Sequence, residues 1–127
     1  MRLRDLTGGK GVDVVYDPVG GPYSEQAVRS MNWEGRFLVI GFAAGDIPRI
    51  PLNLVLLRSC DLRGVAWGAW ADKDTAGHRA NTARLLAWEK AGKLSTHIHA
   101  VYPLAEAKEA LNALARREVK GKVILRI

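Results

Sequence analysis

The sequence has 127 residues, 48% of them apolar and 25% charged, with a formal net charge of +6. That is the balance of a soluble globular chain able to bury a core. Its single cysteine, Cys60, excludes an internal disulfide framework and any zinc site built from several thiolates.

No apolar run is long enough to span a bilayer, and the first residues have no apolar stretch of the signal-peptide kind, so the expectation is a cytoplasmic protein. The basic residues run from Arg2 and Arg4 to Arg126 and are interleaved with thirteen acids. The densest group, Arg116, Arg117, Lys120 and Lys122, sits at an expected helix end and carries no aromatic residue for base stacking. A solvated basic face explains this charge better than a nucleic-acid surface does. The expectation is neither nucleic-acid nor membrane binding.

In chain order, Gly8, Gly9 and Gly11 form a turn before residues 12–16, a β-branched run that reads as a strand. Asp17-Pro18-Val19-Gly20-Gly21 ends it. Pro22 suits the first turn of a helix, where its missing N–H has no partner to lose. Tyr23, Ala27, Val28 and Met31 recur at helical spacing and predict the buried stripe of that helix. Glu34-Gly35 is a turn, and residues 36–42 form a second strand. A strand, helix and strand of this length favour parallel pairing. After a loop over 43–51, residues 52–57 predict a short buried helix and residues 61–67 a third strand, ended by Gly68. Asp72 and Asp74 are candidate N-caps of a long helix through about residue 91, terminated by Gly92 and lined on one side by Ala76, Ala80, Ala83, Leu86 and Ala87. Residues 97–102 predict a strand. Residues 105–117 predict an amphipathic helix with Ala107, Ala110, Leu111 and Leu114 inward. A last strand covers 123–125.

Ligands of an open parallel sheet bind outside the carboxyl ends of its strands. Three expected strand ends here carry small or turn-forming residues: Asp17-Pro18-Val19-Gly20, Gly41-Phe42-Ala43 and Trp67-Gly68. Glycine lets a backbone approach a flat ring closely, but it also ends many strands simply to make a turn. Asp17 is equally read as a turn-capping side chain. His78, His97 and His99 form no metal spacing with Cys60, although His97 and His99 share one strand face. Ser24 and Ser59 lack a nucleophile-elbow context, and the Glu106, Lys108 and Glu109 cluster is an ordinary exposed helix face. No general acid or base stands out, so the list of catalytic residues is empty.

Two stretches, Gly11-Val12-Asp13-Val14-Val15-Tyr16-Asp17-Pro18-Val19-Gly20-Gly21 and Gly35-Arg36-Phe37-Leu38-Val39-Ile40-Gly41-Phe42, resemble the second half of the cofactor domain of the medium-chain dehydrogenase/reductase superfamily. Tyr102-Pro103-Leu104-Ala105-Glu106-Ala107 and Gly121-Lys122-Val123-Ile124-Leu125 resemble that superfamily's tail. Within this zinc-containing alcohol dehydrogenase-like superfamily, the sequence is most similar to the zinc-independent NADPH:quinone oxidoreductase, or zeta-crystallin-like, group. The resemblance implies an α/β fold: the second half of a Rossmann-like doubly wound parallel sheet over 1–68, plus a C-terminal helix and strand tail over 69–127 that packs on a GroES-like catalytic domain. It also implies that the chain is the C-terminal part of an oxidoreductase passing hydride from NADPH, with NADH as the alternative cofactor and no metal, to a quinone, activated alkene or carbonyl. A non-catalytic Rossmann-like dimerisation or regulatory module is the alternative, and a nucleic-acid-binding domain the weakest reading.

By the same resemblance, Pro18, Val19 and Gly20 lie near the nicotinamide half of the cofactor, and Ile40, Gly41 and Phe42 hold its ring and ribose through backbone contacts. Trp67 and Gly68 flank the nicotinamide or the dimer seam, and Lys122 reaches toward the dinucleotide. For Trp67 a core or interface aromatic is an equal reading, and for Lys122 a solvated turn lysine is the plainer one. The resemblance implies a homodimer through the strand over residues 60–67. No Gly-x-Gly-x-x-Gly turn occurs anywhere, so the grip on the pyrophosphate is missing. The expected consequences are a truncated product with little activity by itself and an unpaired edge along residues 12–16.

Overall fold

The computed structural model describes residues 2–127, apart from the side chain of Arg2. By internal contacts these residues divide into two compact units, one ending at Asp74 and the other beginning at Thr75.

The first unit opens with a short helix, α1 (Arg2–Leu6), followed by β1 (Val12–Asp17), α2 (Tyr23–Arg29), β2 (Met31–Val39), α3 (Leu52–Arg58), β3 (Asp61–Gly64) and α4 (Trp67–Lys73). Its three strands form a parallel sheet in the order β1-β2-β3. This is the strand–helix–strand–helix–strand run that the alternation of short apolar segments and turns predicts. β1 is an edge strand in this order, as expected, and Val14 and Tyr16, which share one face of the sheet, are exposed. Gly11 starts β1 from a positive φ of 92°, and a Cβ there would lie 2.5 Å from the Ser30 carbonyl oxygen, so only glycine fits.

β2 begins earlier than predicted. Val12 pairs with Met31 and Val14 with Arg36, so Asn32-Trp33-Glu34-Gly35 bulges opposite Asp13. The Asn32 side-chain amide donates to the Asp13 carboxylate at 2.9 Å, and the Trp33 amide donates to the Asn32 side-chain oxygen at 2.8 Å. Glu34 adopts a positive φ of 57°. The predicted Glu34-Gly35 turn is therefore a bulge inside the ladder.

The core of this unit is Val28, Met31, Phe37, Leu54 and Cys60, with Val12, Val15, Ala27, Val39, Ile50 and Val55 packed around it. Two expected stripes are corrected. On α2, Ser24 and Val28 are buried while Tyr23 is exposed; Met31 is buried, but as the first residue of β2. On α3, only Leu54 is buried, and Leu52, Leu56 and Leu57 are exposed. A three-stranded sheet meets one stripe of a helix, so an all-round apolar segment leaves its far side uncovered. The third strand also ends sooner than expected. Its ladder stops where Gly64 pairs with Val39, the last residue of β2, and Val65 makes a final bond to the Val39 carbonyl. Beyond that point no strand continues beside it, so Trp67 and Gly68 open a helix rather than end a strand, and Asp72 lies inside that helix.

The second unit comprises α5 (Thr75–Lys90), β4 (Ile98–Pro103), a 3-10 turn (Leu104–Glu106), α6 (Ala107–Ala115) and β5 (Lys122–Arg126), with β4 and β5 parallel. Gly92 terminates α5 at φ 68°, donating to the Glu89 carbonyl, while Lys93 donates to that of Trp88. The expected apolar side of α5 is exposed at Ala76, Ala80, Ala83, Leu86 and Ala87. On α6 the buried pair is Ala110 and Ala113, not Leu111 and Leu114, which face solvent. Small residues are the ones that let α6 approach its neighbours, and spacing alone did not reveal that.

Candidate functional site

The sheet of the first unit brings two predicted loops together at the carboxyl ends of β1 and β2. Asp17 organises the first. One carboxylate oxygen, Oδ1, accepts from the amides of Val19 and Gly20, both at 2.9 Å, and the other, Oδ2, accepts from the Ser24 hydroxyl at 2.6 Å. This closes a turn over Pro18, which has no N–H to place. Gly20 then adopts φ +70°. Burial acts to raise the Asp17 pKa, but the hydrogen bonds from Ser24, Gly20 and Val19 outweigh it and hold the carboxyl below its ordinary value.

The second loop is zipped onto the first through the backbone. The amides of Ile40 and Gly41 both donate to the Asp17 carbonyl, at 2.9 and 3.3 Å. The Ala43 amide donates to the Pro18 carbonyl at 3.1 Å, and the Ala44 amide to that of Val19 at 2.9 Å. The Gly21 amide in turn donates to Asp46 at 3.2 Å. Gly20 permits this closeness, since a Cβ there would lie 2.8 Å from Cδ1 of Phe42, whereas one at Gly41 would make an ordinary contact at 3.4 Å from the Pro18 carbonyl oxygen.

Six of the nine expected site residues thus share one shelf. Pro18, Val19 and Phe42 are exposed on it, Ile40 and Gly41 are half-buried, and Gly20 is buried beneath. None of the six carries a charge. The surface suits a flat, weakly polar group and presents no charged side chain to a phosphate. Trp67 and Gly68 lie in the first turn of α4, and Trp67 is exposed. Lys122 belongs to the second unit, where it is exposed at the start of β5 and its amide donates to the His97 carbonyl at 2.9 Å.

Ser24 is the residue that sequence reasoning undervalued. It is buried and fixes Asp17, and its one sequence signal is its place in the first turn of the helix that follows the Pro18–Gly21 turn. Ala43 and Ala44 contribute only amides, which no side-chain motif reveals. His97 and His99 are exposed, and Cys60 is buried in the other unit. Among the described residues, no group of three or more His, Cys, Asp or Glu side chains is placed to hold a metal ion. No helix of the described residues is long and apolar enough to cross a membrane.

Comparison with known proteins gives concordant matches. The profile of the family described as zinc-binding dehydrogenase matches residues 1–125. Quinone oxidoreductase-like protein 2 of Rattus norvegicus is 35% identical over 123 residues, covering 97% of this chain and 35% of the relative. A homolog of that protein in Nematostella vectensis is 34% identical over 125 residues, covering 98% and 34%. A mycobacterial protein solved in complex with NADPH is similar at a TM-score of 0.85 and 27% identity, over 99% of this chain and 39% of that one. The chain spans about a third of the length of the curated relatives it matches.

Proposed function

The chain belongs to the zinc-binding dehydrogenase family, and from that premise we propose that its shelf at the carboxyl ends of β1 and β2 forms the nicotinamide-side wall of an NADPH site in an oxidoreductase of the quinone reductase type. The observation that carries this reading is the backbone zipper between the loops at Pro18–Gly20 and Ile40–Phe42, which builds a rigid, uncharged surface where a parallel sheet binds its ligands. The family's description names zinc, but among the described residues no group of three or more His, Cys, Asp or Glu side chains is placed to hold that metal. The proposal routes no step through a metal held by these residues.

When bound, NADPH supplies a hydride to an electron-poor acceptor such as a quinone or activated alkene. The chain's own residues orient and exclude. Val19 and Phe42 present apolar surface that keeps water from the ring, and Asp17 and Ser24 hold that surface in place from beneath. In this reading the phosphates are left to other residues, since none of the six shelf residues is charged. Trp67, Gly68 and Lys122 take their cofactor role from the family resemblance alone.

A chimera tests the proposal: this chain replaces the corresponding third of a matched quinone oxidoreductase, and NADPH-dependent reduction of benzoquinone is followed. The expected result is turnover with NADPH saturation, and a raised KM for NADPH when Gly41→Val fills the shelf. A folded chimera that binds no NADPH would refute it and favour a non-catalytic module. We further propose a homodimer through β3, an edge strand of the sheet whose four residues are all exposed. A monomer with intact fold in sedimentation at micromolar concentration would remove that part.

A further inference from the structure

At the opposite end of β1 from the shelf lies a second, chemically different feature. The Ser30 carbonyl, just after α2, accepts the amide of Val12, the first residue of β1, which puts the end of α2 about 16 Å from the Asp17 loop at the strand rise per residue. There α1, the end of α2 and α3 line an open pocket of about 800 Å³ whose walls include Arg4, Arg29, Arg58, Leu54 and Leu57. That volume suits a small organic ligand.

Its electrostatics are unusual. The carbonyl of Arg29 accepts from Nη2 of Arg4 and from Nη2 of Arg58, both at 3.1 Å. The two guanidinium nitrogens therefore lie no more than about 6 Å apart. Both side chains belong to half-buried residues. The Arg29 side chain is matched by Glu25 at 2.7 Å, but among the described residues no carboxylate pairs with Arg4 or Arg58. Capping the last carbonyl of α2 accounts for one N–H of each. Each guanidinium carries five, so most of the donors of two adjacent like charges are left beside an apolar wall.

We propose that this cavity binds an organic oxyanion, its carboxylate or phosphate head bridging Arg4 and Arg58 and its apolar body lying against Leu54 and Leu57. Planar guanidinium forks suit both head groups, and a bound anion relieves the repulsion between the two arginines. The proposal is independent of the NADPH shelf, because it uses none of the same residues.

The test is a titration of the 127-residue chain, followed by chemical shifts of the Leu54 and Leu57 methyls and the arginine Nε groups. The probes are octyl phosphate and octanoate below their micelle concentrations, with octanol and inorganic phosphate beside them. Both octyl anions are expected to bind at these signals, at least about tenfold more tightly than octanol or inorganic phosphate, since hydrogen bonds to charged groups carry the difference. Whichever octyl anion binds more tightly identifies the head group. Arg4→Gln and Arg58→Gln are each expected to weaken binding about tenfold or more. Octanol binding as tightly as octanoate, inorganic phosphate binding as tightly as octyl phosphate, or unchanged affinity in both arginine variants overturns the proposal. The probe comparison on the unaltered chain decides by itself if either variant fails to fold.

Discussion

Asp17→Ala removes the acceptor of three hydrogen bonds, and their surroundings set the expected loss. The Val19 amide is exposed, and water replaces its partner at little cost. The Gly20 amide is part-buried and contributes about 1 kcal/mol. Ser24 is 1% exposed, and its hydroxyl, left without an acceptor, costs about 1–3 kcal/mol. The expected destabilisation is about 2–4 kcal/mol for Asp17→Ala and about 1 kcal/mol for Ser24→Ala. Asp17→Ala with Ser24→Ala should lose less than the two losses combined, with a coupling of about 1–2 kcal/mol, because the double variant buries no orphaned hydroxyl. The assay is urea unfolding followed at the amides of Val28 and Phe37, so that the first unit is read by itself.

The same pair has a pH signature. The folded-state pKa of Asp17 is depressed, so the stability it supplies is fully present above its unfolded value, about 3.9, and is lost as pH falls through the folded value. Asp17→Asn keeps an oxygen for the two amides but has no such titration. Its deficit relative to the native chain should be constant above that unfolded value and shrink below it. Additivity of the two alanine substitutions within about 0.5 kcal/mol, or a deficit that grows in acid, refutes the account of Asp17 as the organiser of the loop.

Three further outcomes follow from the packing. Gly11→Ala should destabilise by about 3 kcal/mol or more in urea unfolding, because the new Cβ meets the backbone of Ser30, Met31 and Asn32 at 2.5–2.9 Å from a positive φ. Gly64→Ala, where nothing lies within 4 Å and φ is not positive, should stay within about 0.5 kcal/mol of the native chain. Phe37→Ala, at 1% exposure in the centre of the sheet, should cost about 3–5 kcal/mol in urea unfolding followed at the Val28 amide.

What the sequence determined by itself is the alternation of strands and helices along the chain and several of the turns and caps between them. A β-branched run made β1 and the apolar Phe37-Leu38-Val39 run the end of β2, glycines at Gly11, Gly20 and Gly92 took the positive φ values that turns and caps require, and Pro22 stood at the start of α2. These are local effects, decided by a residue's own backbone and its nearest neighbours in the chain. What only the tertiary structure decided is which faces are covered and which groups meet. Leu56, Leu57, Leu111 and Leu114 have the right spacing for burial but stay exposed among the described residues, and β3 stopped at Gly64 because β2 stopped at Val39. The meeting of Asp17 with Ser24, of the Pro18 loop with Ala43 and Ala44, and of Arg4 with Arg58 on one carbonyl depends on contacts between segments brought together by the sheet. Such contacts have no fixed spacing along a chain, so no periodicity announces them.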